Sequence, residues 1–387
     1  MKIAIFADSL PPNLDGVSRT YLNIFNYFER EGIPFKVFSP FKPPEEFTWA
    51  NSVHQVPSLP FYLYPKYKIG LPDKQEIFRM LDEFKPDLVH VSSPTFLGQA
   101  GLEYSKKNNI PSLAVFHTDF ASYFKYYGFA VFENVCWKFL LKFYNQFDRV
   151  LVPSRDLLKK LNKRKFKNLE LWQRGIDLRL FNPAFRNDAM RKLLSPAGYP
   201  ILLFVGRLVK EKDLADLVEV NRVLDSDNFE YQMVFAGDGP MRSELAHQLP
   251  RARFLGYLKG KDLSQVYASS DLFIFPSTTE TFGNVILEAN ASGLPVIGVK
   301  KGGVKNLIEY GQNGFLATPH SAREMASFVR LILKNPGLQA MMRQKAIHFA
   351  SQFSLQTINE KLIGIYSKLI SDIPTIRAQQ SEYFFKS

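Results

Sequence analysis

The sequence predicts an α/β protein of two doubly wound domains, each a parallel sheet with helices on both faces. Three observations carry that expectation. The chain has 387 residues, enough for two hydrophobic cores. Short apolar runs closed by turn residues alternate with stretches of helical periodicity, first from Lys2 and again from Pro200. Between the two series, Phe181-Asn-Pro-Ala-Phe-Arg-Asn-Asp188 is polar and breaks regular structure, which puts the junction there. The domains are therefore expected at 1–185, joined by 355–387 crossing back, and at 186–354.

In the first series, Lys2 to Ala7 reads as a strand, followed by a turn-rich loop through Gly16. Ser18 to Glu31 has apolar residues at Tyr21, Leu22, Phe25 and Phe28 and is stopped by Gly32, so it reads as a helix. Phe35 to Phe38 is the next strand, completing a βαβ opening. Phe41 to Pro72, dense in proline and aromatics, is expected to be irregular. A helix from Ile77 to Phe84 leads to strand Leu88–Val91, and strand Ser112–Phe116 delivers His117 at its carboxyl end. Phe120 to Phe147 alternates aromatics with lysines, suiting either a helix packed on the sheet or a membrane-facing surface. Arg149–Val152 is a strand, and Pro153-Ser154 opens another helix.

The second series has strands at Pro200–Val205, Tyr231–Ala236 and Arg253–Gly256. It then reaches strand Asp271–Pro276, a helix over Phe282–Ser292 ended by Gly293 and Pro295, and strand Pro295–Val299. A last helix runs from Phe353 to Leu369.

Composition narrows the chemistry. A single cysteine, Cys136, excludes a disulfide framework and a cysteine-based zinc site, and it fits a reducing, cytoplasmic compartment. No run of 18 apolar residues is present to span a bilayer. The net charge of +12 favours anionic partners, for which nucleotide sugars, an anionic membrane surface and nucleic acid all qualify. No nucleic-acid module accompanies the basic run at Lys159–Lys167. Gly-x-Gly-x-x-Gly is missing after both first strands, which argues against a dinucleotide oxidoreductase.

Ligands of open parallel sheets sit at the carboxyl ends of the strands. There Gly283 opens a helix whose free N–H groups and dipole suit a phosphate. Glu280 lies just ahead of that helix and Glu288 within it, placed to accept hydrogen bonds from sugar or ribose hydroxyls. Arg207 and Lys212 follow the Pro200–Val205 strand directly, adding two cations at one crevice edge. Together these describe a diphosphate site that works without a metal. Gly16 and His117 occupy corresponding loop positions in the first domain, and Gly237 begins a Gly-Asp-Gly-Pro turn in the second.

Read together, Gly206-Arg-Leu-Val-Lys-Glu-Lys212, Gly237-Asp-Gly-Pro240, Phe254-Leu-Gly256, Glu280 to Glu288 with seven residues between, and Gly302-Gly-Val304 resemble the retaining glycosyltransferases of family 4. Asp15-Gly-Val17, His117-Thr118 and Pro153-Ser154 match as well, and within the family the chain looks like the glycolipid mannosyl- and sulfoquinovosyl-transferase branch. The resemblance implies the GT-B fold, two Rossmann-like domains facing a central cleft. It implies hexose transfer from a nucleoside-diphosphate sugar, GDP-mannose or a UDP-hexose, to a lipid or glycan hydroxyl, with no cofactor and no metal. Arg207 and Lys212 would hold the leaving diphosphate, and Gly16 would close over it. Glu288 would hold the ribose, while Glu280 and the amides of Phe282, Gly283 and Asn284 would hold the sugar and distal phosphate. Gly237 would lie near the base, His117 near the reacting carbon, and Asp15, Asp119 and Tyr123 on the acceptor side. Asp213, Asn290 and Lys305 depart from the family's usual residues. The competing readings are a nucleotide-sugar epimerase of the same fold and a non-catalytic nucleotide-sugar-binding or membrane-adaptor protein.

Overall fold

In the computed structural model, which describes residues 1–13, 15–61, 64–117 and 133–385, the first series of apolar runs builds a seven-stranded sheet. Its elements are β1 (Ile3–Phe6), α1 (Gly16–Arg30), β2 (Phe35–Ser39), β3 (Val53–Gln55), β4 (Ser58–Phe61), β5 (Tyr64–Gly70), α2 (Lys74–Phe84), β6 (Leu88–Val91), α3 (Phe96–Lys107), β7 (Ser112–Val115), α4 (Glu133–Tyr144), β8 (Arg149–Val152), α5 (Arg155–Lys163) and β9 (Leu169–Leu171). The seven sheet strands, which exclude β4 and β5, are parallel, in the order β3-β2-β1-β6-β7-β8-β9, so chain order reverses between β1 and β6.

Period-two alternation sends each strand's side chains to two separate cores. Ala4, Phe6, Val89 and Val91 pack with helices α2 to α5, whereas Ile3, Ile5, Leu113 and Leu151 pack with α1. Helix α1 forms because Tyr21, Ile24, Phe25 and Phe28 share one buried face, each contributing roughly 1.5–3 kcal/mol by burial. Asp15 starts it: Oδ1 accepts from the Val17 and Ser18 amides, both at 2.8 Å.

The stretch from Phe41 to Pro72 is not irregular as expected. It holds a 3₁₀ turn at Thr48–Ser52, strand β3, and an antiparallel ribbon of β4 and β5. Its prolines hid this, because Pro60 is tolerated in a two-stranded ribbon where it would not be in a central strand. Trp49 anchors the stretch, stacked on Phe47 and edge-on to Phe25, with its Nε1 donating to Asn26 Oδ1 at 2.9 Å.

The second series gives α6 (Asp188–Leu194), β10 (Ile201–Val205), α7 (Ala215–Ser226), β11 (Gln232–Ala236), α8 (Arg242–Gln248), β12 (Arg253–Phe254), α9 (Gly260–Ser269), β13 (Leu272–Ile274), α10 (Asn284–Ala291), β14 (Val296–Val299), β15 (Gly314–Ala317), α11 (Ala322–Leu333) and α12 (Pro336–Ser351). Its six strands are parallel, ordered β12-β11-β10-β13-β14-β15, with the reversal between β10 and β13. The last helix, α13 (Leu355–Phe385), returns to the first unit, where Ile358, Leu362, Tyr366 and Leu369 complete the α1-side core. The Trp172 indole donates to the Ile358 carbonyl at 3.2 Å.

The contacts divide the chain between Gln173 and Arg174, and again between Thr357 and Ile358, rather than at the expected 185/186 and 354/355. The polar segment after residue 174 is tied into the second unit despite its composition. Ile176 N donates to Phe353 O at 2.8 Å, and Phe181 meets Tyr267 edge-on. Asn187 N donates to Ser269 Oγ at 3.0 Å, and Arg191 donates to Asp271 at 2.8 Å.

Candidate active site

Strands β10 and β13 are neighbours, so the loops leaving their carboxyl ends meet. The loop after β10 carries Arg207 and Lys212, and the loop after β13 carries Glu280 and the start of α10. Lys212 Nζ is in a close ion pair with Glu280 Oε1, both side chains being mostly buried. Arg207, 45% exposed, sits 3.4 Å from the carboxylate of buried Glu211. The two loops are laced together: Thr279 Oγ1 donates to Glu211 O at 2.8 Å, and Thr278 donates through N and Oγ1 to Asp213 Oδ2, both at 2.8 Å.

Those bonds explain the departure at Asp213. The residue is left-handed (φ 53°), a conformation that glycine, asparagine and aspartate tolerate best, and its carboxylate fixes the facing loop. Sequence reading missed this role because the partner, Thr278, lies 65 residues away.

Gly283 caps α10 at φ 103°. The amides of Phe282, Gly283 and Asn284 have no hydrogen-bond acceptor among the described residues, leaving donors and a helix dipole beside Lys212 and Glu280. The helix begins two residues later than expected. Glu288 is buried on α10, where Oε2 accepts from Tyr267 Oη at 2.9 Å. Tyr267, fully buried, carried no motif signal.

Neighbouring glycines set how close these loops come. A Cβ on Gly237 (φ 146°) would fall 1.9 Å from Gly206 O, so only glycine lets the β11 exit lie on the β10 exit. One on Gly303 would fall 2.5 Å from Thr281 O and 2.6 Å from Phe282 N. Gly303 N donates to Glu280 O at 2.7 Å, so the Gly302-Gly303 pair is a backing plate for the Glu280 loop. Lys305 lies on the 3₁₀ turn Gly302–Asn306 that carries this pair. Asn290 is fully buried in α10, its Nδ2 donating to Leu307 O at 3.3 Å.

In the first unit, Gly16 is the first residue of α1 and Asp15 its cap, held also by Ser9 Oγ at 2.6 Å. Asp15 thus has a structural duty, with both carboxylate oxygens engaged. Buried His117 follows β7, its Nε2 3.3 Å from Tyr21 Oη. Asp8, which sequence reading passed over, leaves β1 buried, and Thr95 Oγ1 donates to its carboxylate at 2.9 Å. Burial pushes its pKa up to about 7. Asp119 and Tyr123 lie outside the described residues. So do residues 118–132 of the aromatic-basic stretch. Its remainder forms α4, with Trp137, Phe143 and Tyr144 buried and Phe139 exposed.

Two parallel-sheet units, one offering paired cations and an open helix start at its switch point, define a nucleotide-handling α/β enzyme of the two-Rossmann-domain type. Residues 14–180 match the family described as Glycosyltransferase Family 4, and residues 185–349 match Glycosyl transferases group 1. A GDP-mannose-dependent alpha-mannosyltransferase of Mycolicibacterium smegmatis is 35% identical over 82% of this chain and 84% of its own length. The sulfoquinovosyl transferase of Arabidopsis thaliana is 31% identical over 93% of this chain and 72% of its own. Among solved structures, the sucrose-phosphate synthase of Thermosynechococcus elongatus shares the fold, with a TM-score of 0.79 at 20% identity over 96% of this chain and 99% of that one. The chain belongs to glycosyltransferase family 4 and is a glycosyltransferase of GT-B fold.

Proposed function

We propose that the enzyme moves a hexose from a nucleoside-diphosphate sugar, GDP-mannose or a UDP-hexose, to a lipid hydroxyl with retention at the anomeric carbon. The observation that carries this reading is the convergence of Arg207, Lys212, Glu280 and the open α10 start at adjacent strand ends. A diphosphate there meets two cations and backbone donors already in place, the arrangement that stabilises charge as it develops on a leaving group. Glu280 is released from Lys212 as phosphate oxygens take its place, and its carboxylate then receives sugar hydroxyls. Glu288 takes the ribose. The bond from the anomeric carbon to the diphosphate oxygen breaks with its electron pair going to phosphate. The acceptor oxygen bonds to the same face of that carbon, and its proton passes to the departing phosphate. The charge balance is met by side chains and amides, so turnover is expected without a metal. His117 serves the sugar near the reacting carbon, and Asp119 and Tyr123 serve the acceptor side.

The lipid acceptor is supported by relatives, which include an alpha-monoglucosyldiacylglycerol synthase of Acholeplasma laidlawii, 24% identical over 96% of this chain. It is also supported by α4, which exposes Val135 (64%) and Phe139 (54%). Beside them Trp137, Lys138, Lys163, Arg164 and Lys165 line one pocket, with the Arg164 guanidinium 4.1 Å from the Trp137 ring centroid. Apolar tips among exposed cations suit an anionic membrane surface. No helix among the described residues is long and apolar enough to cross a membrane.

The test is a thermal-shift screen of GDP, UDP and ADP, followed by turnover of the matching sugars on diacylglycerol vesicles with and without anionic lipid, in EDTA. One nucleotide should stabilise the protein, and its sugar should be transferred faster on anionic vesicles. Arg207→Ala and Lys212→Ala should each lower kcat/KM by about 100-fold or more. Undiminished turnover in Lys212→Ala would end the reading.

A further inference from the structure

Four side chains of the first unit form one buried hydrogen-bonded line, of which the proposed chemistry uses only the His117 end. His117 Nε2 lies 3.3 Å from Tyr21 Oη, Tyr21 Oη lies 3.0 Å from His90 Nε2, and His90 Nδ1 lies 2.5 Å from Tyr366 Oη. His117 is 5% exposed, and Tyr21, His90 and Tyr366 are 0% exposed. The line starts on the last helix, 276 residues from His90, and ends on the site histidine.

The line has a polarity. Burial lowers the His90 pKa to about 3, so its ring is neutral, with one N–H and one acceptor nitrogen. His90 is the only hydrogen-bond partner of Tyr366 Oη among the described residues. If Tyr366 donates to His90 Nδ1, then His90 Nε2–H donates to Tyr21 Oη, and the Tyr21 hydroxyl donates to His117 Nε2. Every hydrogen then has an acceptor. The reverse polarity leaves the fully buried Tyr366 O–H with none, a penalty worth roughly tenfold or more in population. The neighbouring groups do not reverse this choice. Ser92 and the Asp8 carboxyl act on Tyr21, and Asp8 acts on Tyr144. Tyr21 Oη can accept from Ser92 in either polarity.

We propose that Tyr366, acting through His90 and Tyr21, fixes His117 as the Nδ1–H tautomer with Nε2 held as an acceptor, making the last helix a positioning element for the site histidine. The consequence for turnover rests on the transferase reading; the tautomer does not.

The chain's six histidines allow a direct test on the full-length protein labelled with ¹⁵N-histidine. Long-range ¹H–¹⁵N spectra, assigned with His117→Gln and His90→Gln, should show protonated Nδ1 and bare Nε2 for His117, and the opposite for His90. Tyr366→Phe leaves one unsatisfied His90 nitrogen in either polarity, so His117 should lose its single tautomer and give averaged signals. Tyr104→Phe, which removes a hydroxyl bonded to Asp82 outside the line, should change nothing at His117. With the donor identified, Tyr366→Phe should lose kcat while donor KM holds. A His117 Nε2–H tautomer in the wild-type protein, or identical His117 signals in Tyr366→Phe, overturns the proposal even if Tyr366→Phe folds poorly and whatever the turnover. A silent transferase assay beside the expected spectra instead removes the functional reading alone.

Discussion

The switch points of the two units occupy the same place in similar sheets, yet they are built from different chemistry. Between β10 and β13, charged groups tie the loops: Lys212 with Glu280 and Asp213 clamping Thr278 from one loop to the other, and Arg207 with Glu211 within the first. Between β1 and β6, the bonded side chains are mostly hydroxyls, imidazole and carboxyl: Asp8 with Thr95, Ser9 with Asp15, and Tyr21 with His90. The fold supplies a crevice at both places, and only the residues decide what each can hold. A diphosphate suits the cationic one. The other is suited to orienting a neutral hydroxyl.

Three changes break or sharpen this contrast. The largest effect is expected from Gly303→Ala, because its new methyl meets backbone of the Glu280 loop that cannot swing away as a side chain could. Stability should fall by about 3 kcal/mol, and stabilisation by nucleoside diphosphate should disappear in the same thermal-shift experiment. Retained nucleotide stabilisation would show that the loop's placement is not what binds.

The second concerns pH and the first unit alone. Asp8 has a raised pKa (about 7 against 3.8), so the folded state keeps a proton that the unfolded chain releases. That contribution is fully present below 3.8 and lost as pH rises through about 7. His90 is lowered (about 3 against 6.5), so its contribution is present above 6.5 and lost as pH falls towards 3. The two slopes oppose each other in the window they share. Thermal midpoints from pH 4.5 to 8 should therefore separate in opposite directions. Asp8→Asn should gain on wild type with rising pH, and His90→Gln should gain with falling pH, each by on the order of 2 kcal/mol across the window. Differences that stay constant with pH would mean these groups are not held as described.

The smallest is Asp213→Gly, which relieves a left-handed aspartate but removes both Thr278 bonds. A net loss of about 1 kcal/mol is expected, with a weaker nucleoside-diphosphate affinity measured by titration calorimetry. An unchanged affinity would assign the clamp to stability only.

Much of the fold was legible in the sequence because buried parallel strands are short apolar runs with turn residues at their ends. Ile201–Val205 and Leu88–Val91 needed no tertiary information. The meeting of the second-unit loops was legible for a related reason: Arg207, Lys212, Glu280 and Gly283 lie in the segments that leave the two neighbouring strands β10 and β13. Where prolines interrupted the pattern, as in β4 and β5, local sequence masked a ribbon whose stability comes from pairing. Residues 174–187 hid their attachment for a similar reason, being polar yet bonded to Ser269 and Phe353 far along the chain. Tyr267, His90 and Asp8 stayed unread because their importance lies in partners that no spacing rule connects.

The helix that closes the first unit comes last in chain order. Ile358, Leu362, Tyr366 and Leu369 are synthesised after the whole second unit, yet they wall the core begun by Ile3 and Ile5. During translation the opening 173 residues therefore wait with one apolar flank uncovered while their neighbour is still being made. A stop codon just after residue 357 would leave the later-made unit whole and cripple the earlier one.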